Sequence, residues 1–300
     1  SKPGESATAV KKLISRDKVA AILGGNPSAN SLEPGPIAQN AKIPMMAISS
    51  TNPKVTEIGD YIFRICFIDP FQGAVLAKFA HESLKAKRVA LLTSVNSPYS
   101  VGLSAVMRER FTALGGQIVA EQKFNEGDKD FRAQLTAIKA ARPDVIAATG
   151  FYAEAALACI QARSLGLDIP IIGGDGWEAP QLVELGGKAV EGTYYCTYFS
   201  ADNAAPEVQA FVKRYRARWN NEVPEGVSAL GYDAMHLMAA SLTKTGTTQG
   251  PALRDTLAAT KDFPGITGKT TIDAQRNSAK AAVMLMVKGG KTEFFAEVAP

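Results

Sequence analysis

Residues 88–124, RVALLTSVNSPYSVGLSAVMRERFTALGGQIVAEQKF, decide the fold. The stretch opens on Arg88–Thr93, a continuous aliphatic and β-branched run of the kind expected for a strand covered on both faces. Leu103, Met107, Phe111 and Leu114 then recur at steps of four, four and three, which places them on one face of a helix over Val101–Leu114. Gly115-Gly116 ends that helix, and Gln117–Phe124 returns as a second strand. Strand, helix, strand is the unit a parallel sheet requires, because parallel neighbours can be joined only by a crossover.

The same alternation extends in both directions. Downstream come a helix over Asp130–Ala141, a strand Asp144–Thr149, a helix Tyr152–Leu165 and a strand Pro170–Gly173. Upstream lie strands Val19–Leu23, Pro44–Ile48 and Tyr61–Cys66. Later come strands Gly192–Tyr198, Thr270–Asp273, Ala281–Val287 and Thr292–Val298, with a helix over Pro206–Trp219. The unbroken run Arg88–Gly174 makes one complete α/β lobe, and the remaining elements make a second. The expected architecture is two doubly wound α/β lobes, one from residues 1–68 plus 200–281 and the other from 69–199 plus 282–300. The chain crosses between them near Ile68, Phe199 and Ala282. No Pro- or Ser-rich linker interrupts it, which fits interleaved lobes.

Composition narrows the function. The 300 residues carry 33 basic and 29 acidic side chains, a net charge of +4. The one basic cluster, Lys213-Arg214-Tyr215-Arg216-Ala217-Arg218, reads as a solvated helix face, so no nucleic-acid partner is expected. The apolar runs, such as Ala281–Val287, fall far short of the roughly 20 residues that span a bilayer. Cys66, Cys159 and Cys196 are widely spaced, with no CxxC and no zinc pattern, and read as buried apolar residues. Both histidines, His81 and His236, fall in stretches that read as surface or core. GxSxG, GxxxxGK[ST] and HExxH are absent. Gly24-Gly25-Asn26-Pro27-Ser28 follows a strand but lacks the GxGxxG spacing and the lysine of nucleotide sites. These features point away from an enzyme and imply no metal and no cofactor.

In open α/β sheets, ligands sit outside the carboxyl ends of strands. The loops there are Gly24–Ser31, Ser49-Ser50-Thr51-Asn52-Pro53, Ser94–Tyr99, Gly150-Phe151-Tyr152 and Gly174-Asp175-Gly176-Trp177. The first two are uncharged and rich in hydroxyls and amides, and they suit a carboxylate. The last holds a single acid, Asp175, and suits a cation. Tyr99 and Phe151 offer aromatic walls. Each feature also has a plain structural reading. Ser28 and Ser31 can serve as helix N-caps, Thr51-Asn52-Pro53 as an ordinary turn, and Asp175 as an acid bonding only its own loop.

The segments KVAAILGG, PIAQNAKIPMMAISSTNP, FRICFIDPFQG, GDKDFRAQL, QARSLGLDIPIIGGDGW and GYDAMHLMAASL give the chain a family likeness over nearly its whole length. In them the sequence resembles the type I periplasmic solute-binding proteins, specifically the branched-chain amino-acid (Leu/Ile/Val-binding) family of ABC transporters. The resemblance implies two α/β lobes joined by three crossovers, closing on a ligand in the cleft by a hinge motion. It implies that Ser28, and Thr51 from the Ser49-Ser50-Thr51 segment, donate to the ligand α-carboxylate. The backbone of Ser49 and Thr51 would complete that site, and the Ser49 carbonyl would also accept from the ammonium. Asp175 stands where the family pairs an acid with the α-ammonium. Tyr99 and Phe151 stand at aromatic positions, Phe151 here without a hydroxyl, and Asn26 and Val227 at positions lining the side-chain pocket.

The function implied is delivery of a neutral, branched-chain or small aliphatic, amino acid to an ABC permease from a periplasmic or other extracytoplasmic location. The alternative is a sensor or regulator of the same fold that reads an amino acid or amide. Two departures stand out. No strand–helix–strand unit of the kind the family places first is read around Ser1–Asp17, so the first lobe is expected to lack its opening unit. A cysteine pair that some members carry near the Ser28 loop is missing, position 27 being proline. No signal peptide is read either.

Overall fold

A computed structural model describes residues 4–298. The chain forms two compact units. One holds the described residues up to Ile68 together with Asn203–Ala281, and the other holds Asp69–Asp202 with Ala282–Val298. The chain therefore passes between the units three times, at Ile68–Asp69, Asp202–Asn203 and Ala281–Ala282.

The first unit carries a parallel three-stranded sheet, β1 (Ile22–Leu23), β2 (Met45–Ala47) and β3 (Ile62–Arg64), in that order. Ile22 pairs with Met45, Met45 with Ile62, and Ala47 with Arg64. Val10, Ile22, Ala38, Met45, Ala47, Val55 and Ile62 form its packed core. The sheet is shorter than the sequence suggests. Lys18 turns the chain with φ +53°, and Pro44 closes the start of β2 because it has no N–H to give, so only Ile22 and Leu23 reach the ladder. The expected strand Thr270–Asp273 does not form. Thr270 and Ile272 make isolated bridges to Phe263 and Ser278, and the chain turns back at once where Arg276 adopts φ +63°.

The second unit carries seven strands: β4 (Arg88–Ser94), β5 (Gln117–Phe124), β6 (Val145–Ala148), β7 (Ile171–Gly173), β8 (Tyr194–Thr197), β9 (Ala282–Lys288) and β10 (Lys291–Val298). Their order is β10-β9-β8-β7-β6-β4-β5, parallel from β5 to β8 and antiparallel from β8 to β10. β9 and β10 are joined by Gly289-Gly290, both with positive φ, as a two-residue hairpin turn demands. The Glu191 carboxylate accepts from both glycine N–H groups, at 2.9 and 2.6 Å.

Helix Pro98–Ala113 starts three residues earlier than its apolar periodicity indicates. Pro98 suits the first turn, and Ser97 caps it by accepting from Ser100 N–H at 3.5 Å. The four residues of β6 are all buried, as their continuous apolar run requires.

One consequence of this order positions a site. The connection leaving β4 runs to β5 on one side, and the chain then returns past β4 to β6 on the other. The carboxyl ends of β4 and β6 are thus a topological switch point, the crevice where open α/β sheets take ligands. Tyr99 follows β4 and Phe151 follows β6. Among the described residues no helix is long and apolar enough to cross a membrane, and no group of three metal-ligating side chains assembles.

Candidate ligand-binding site

On the first unit, the segments after β1 and β2 converge. Ser28, Ser31, Ser49, Ser50 and Thr51 are all buried. Ser50 Oγ donates to the Gly25 carbonyl at 3.0 Å and meets Ser31 Oγ at 2.8 Å, so those two hydroxyls brace the loops. Gly25 adopts φ +90°, and a Cβ there would collide with the Ser31 hydroxyl. Ser28 Oγ accepts from Asn52 N–H at 3.2 Å and keeps its own hydrogen to give.

Ser49 Oγ and Thr51 Oγ1 are buried with no partner among the described residues. A buried polar group left unpaired costs roughly 1–3 kcal/mol. Two such hydroxyls fall within three residues of each other. Arg64, the last residue of β3, holds this segment. Its wholly buried side chain donates from Nη1 to the Ser50 carbonyl at 2.6 Å. Nη2 reaches the Asn52 and Pro53 carbonyls at 2.8 and 3.1 Å and Thr56 Oγ1 at 3.2 Å.

On the second unit the surplus is of acceptors. Asp175 opens the 3₁₀ turn Asp175–Trp177 just past β7. Gln72 Nε2 donates to its Oδ1 at 2.7 Å, and the Tyr198 hydroxyl donates to its Oδ2. Gln72 Oε1 is buried without a partner among the described residues. Burial pushes the Asp175 carboxyl above its ordinary range, while hydrogen bonding from Tyr198, Gln72 and Tyr99 pulls the other way. Burial, and then the charge of Asp175, push the Tyr99 phenol well above its ordinary value, so it stays protonated.

The Tyr99 hydroxyl accepts from Gly176 N–H at 3.2 Å, and its ring stacks on Phe151 with centroids 5.4 Å apart at 28°. A Cβ on Gly176 would stand 2.9 Å from the Phe151 ring and 3.0 Å from the Tyr99 ring, so the loop can approach the pair only as glycine. Trp177, fully buried, anchors the turn by donating to the Ala148 carbonyl at 3.0 Å.

Ser28, Ser49, Ser50 and Thr51 are therefore brought together on one unit, and Tyr99, Phe151 and Asp175 on the other. Asn26 is exposed, between Gly25 and Ser28, and Val227 is half-buried in the first turn of helix Gly226–Thr245. Several plain readings are settled. Ser28 precedes helix Ala29–Leu32 but makes no side-chain cap bond. Asn52 Oδ1 does accept from Lys54 N–H at 3.0 Å, so a local turn and the hydroxyl cluster coexist. Asp175 reaches well beyond its own loop. Cys66, Cys159 and Cys196 are buried free thiols. His81 packs on Phe111 and His236 on Tyr232, and neither joins either cluster. Arg64, Gln72 and Tyr198 are not singled out by the sequence pattern. Of these, Tyr198 lies one residue past β8, where the rule of reading strand ends would have found it.

A profile described as periplasmic binding protein matches residues 1–291. The chain belongs to the periplasmic binding protein family. Among the relatives of this periplasmic binding protein is an amino acid binding protein of Pseudomonas aeruginosa, 29% identical over 247 residues. That match covers 81% of this chain and 65% of the relative, so the chain spans just under two thirds of that protein's length. Another is the leucine-, isoleucine-, valine-, threonine- and alanine-binding protein of the same organism, 27% identical over 90% of this chain and 71% of its own.

Solved structures agree. The leucine binding protein LivK from Thermotoga maritima is 40% identical with a TM-score of 0.97, covering 100% of this chain and 85% of that one. The branched-chain amino acid transporter substrate binding protein LivJ from Streptococcus pneumoniae, in complex with isoleucine, is 35% identical with a TM-score of 0.93, covering 100% and 84%. A solute binding protein from Rhodopseudomonas palustris BisB5, in complex with 3,4-dihydroxybenzoic acid, is 28% identical with a TM-score of 0.87, covering 99% and 84%. The family and these neighbours are solute-binding proteins rather than enzymes.

Proposed function

We propose that this periplasmic binding protein binds a neutral α-amino acid, branched-chain or small aliphatic, and delivers it from an extracytoplasmic compartment to the permease of an ABC importer. The observation that carries the reading is that the two units hold surpluses of opposite kind, each on its own unit. Ser49 and Thr51 hold buried hydroxyls with no partner among the described residues, and Gln72 Oε1 is a buried unpartnered acceptor beside the Asp175 carboxylate. An α-amino acid is a zwitterion whose two ends ask for those two sets.

The carboxylate is assigned to Ser28, Ser49 and Thr51, with Ser50 bracing them. The ammonium is assigned to Asp175, with Gln72 Oε1 as a further acceptor. Tyr99 and Phe151 cover the aliphatic part, and Asn26 and Val227 are assigned to the side-chain end. Nothing in this scheme is a chemical step, and nothing in it asks for a cofactor. A benzoate-type ligand would use the hydroxyl set equally well, but it would leave the buried charge of Asp175 without a counter-ion, so the acid favours an amino acid. The names of the similar leucine- and isoleucine-binding proteins support the same class of ligand.

The test is calorimetric titration of the wild type and Asp175→Ala with a panel of L-amino acids. Saturable uptake of aliphatic members by the wild type, sharply weakened in the variant, is the expected result. Equal affinity in both refutes the assignment.

A further inference from the structure

The side chain of Arg64 is wholly buried, and the carboxylate segment hangs on it. A guanidinium taken out of water is costly unless its donors are met, so the places its hydrogen bonds go are informative. Four of them end on residues 50–56, and three of those end on backbone carbonyls.

In a trans peptide, the carbonyl and the following N–H point in opposite directions. The Ser50 carbonyl, drawn onto Nη1 at 2.6 Å, therefore turns the N–H of Thr51 away from Arg64. A cation on the carbonyl end also polarises the N–H at the other end of the same peptide, making it a stronger donor. The carbonyls of Asn52 and Pro53, on Nη2, hold the segment beyond Thr51 as the Ser50 carbonyl holds it before. Thr51 is fixed from both sides, between the unpartnered hydroxyls of Ser49 and its own side chain.

We propose that Arg64 is a positioning residue for an anionic ligand group: through the Ser50–Thr51 peptide it aims and strengthens the Thr51 N–H as a donor to the carboxylate. The proposal rests on the assignment of the carboxylate to this segment. Arginine is the side chain that fits. Its planar fork meets the Ser50 and Asn52 carbonyls at once, whereas a lysine offers one compact charge and a methionine neither charge nor donor.

Two measurements test it, after titration of the wild type with L-leucine. In ¹⁵N-labelled wild type, the Thr51 amide proton is expected to move downfield as L-leucine saturates the protein. The second compares L-leucine with L-leucinol, which keeps the ammonium and side chain but has no carboxylate. Arg64→Met is expected to weaken L-leucine about ten- to hundredfold, the scale of one hydrogen bond to a charged group. Arg64→Lys should weaken it less, and L-leucinol should be little changed by either.

Equal loss for both ligands means that Arg64 only supports the fold, and it overturns the proposal. If Arg64→Met does not fold, Arg64→Lys carries the comparison. The wild-type resonance also stands alone, since a Thr51 amide unmoved at saturation refutes the role of Arg64 by itself. No uptake of any L-amino acid by the wild type refutes the site assignment instead, and with it the proposal.

Discussion

Tyr198, one residue past β8, donates its phenolic hydrogen to Oδ2 of Asp175, two residues past β7. With Gln72 on the other oxygen and the Tyr99 hydroxyl also bonded to it, the carboxylate is held by three neutral groups, and among the described residues no cation pairs with it. The arrangement keeps a buried acid oriented while leaving its charge uncancelled, the state of a group waiting for a cation.

Asp175→Asn keeps the shape and removes the charge. Affinity for L-leucine is expected to fall by roughly 2–5 kcal/mol, the cost of orphaning the ammonium in a buried pair. The ligand-free protein should be as stable as the wild type or more so, because a desolvated charge has been removed. Calorimetry gives the first quantity, and thermal unfolding without ligand gives the second. A matching loss of stability would show that the acid holds the fold rather than the ligand.

Proton linkage follows from the same carboxyl. Its folded pKa is raised by burial above the ordinary 3.8, so the folded state holds this proton more tightly than the unfolded chain. The stability attributable to Asp175 therefore rises as pH falls through the folded pKa, and it is complete below 3.8. The difference in unfolding free energy between wild type and Asp175→Asn, followed against pH, isolates this from carboxylates such as Asp130 that move the opposite way. Ligand binding needs the ionised acid, so affinity for L-leucine should decline over the same acid window. Titrations near the folded pKa should show net proton release.

The unpartnered hydroxyls make a prediction of opposite sign for stability and affinity. Thr51→Val removes a buried hydroxyl that lacks a partner at nearly constant volume. Ligand-free stability is expected to stay level or rise by about 1 kcal/mol, while affinity for L-leucine falls. Unfolding midpoints and calorimetry on one preparation decide. A destabilised variant with unchanged affinity would mean that the hydroxyl has a structural partner.

Much of this was readable in advance, for identifiable reasons. Strands such as Val145–Ala148 are covered on both faces, so their apolar runs are continuous, and Gln117–Phe124 was bounded correctly between a glycine pair and a polar turn. The first unit was less legible because its strands are only two or three residues long and a bend at Lys18 leaves no mark in apolar periodicity. Asp175 stood out as a lone acid between glycines after a strand. Arg64 did not. In the run YIFRIC, nothing distinguishes a side chain facing solvent from one facing a ring of carbonyls. Gln72 was out of reach for another reason, since its partner lies 103 residues away.

A buried ion pair in the first unit offers an independent check. Lys280 Nζ donates to Thr267 Oγ1, the Gly268 carbonyl and Thr270 Oγ1 at 2.9, 3.1 and 2.7 Å, with Asp233 Oδ2 at 3.9 Å. Burial pushes Lys280 down to about 8 from 10.5, against the pull of Asp233. The unfolded chain thus binds this proton more tightly, and the fold carries the full penalty below about pH 8, fading toward 10.5. That interval corresponds to roughly 3 kcal/mol. Wild-type stability relative to Lys280→Met should rise by up to that order between the two pH values, as read by chemical denaturation. A flat difference would place the lysine in a wetter setting.

The most direct measurement is a calorimetric comparison of L-leucine with 4-methylpentanoate, which has the same carboxylate and side chain but no ammonium. One-to-one uptake of L-leucine with the des-amino acid at least about a hundredfold weaker is the expected result, the difference being the ion pair with Asp175. Equal affinity for the two would contradict an amino-acid site and point instead to a protein that reads carboxylates alone.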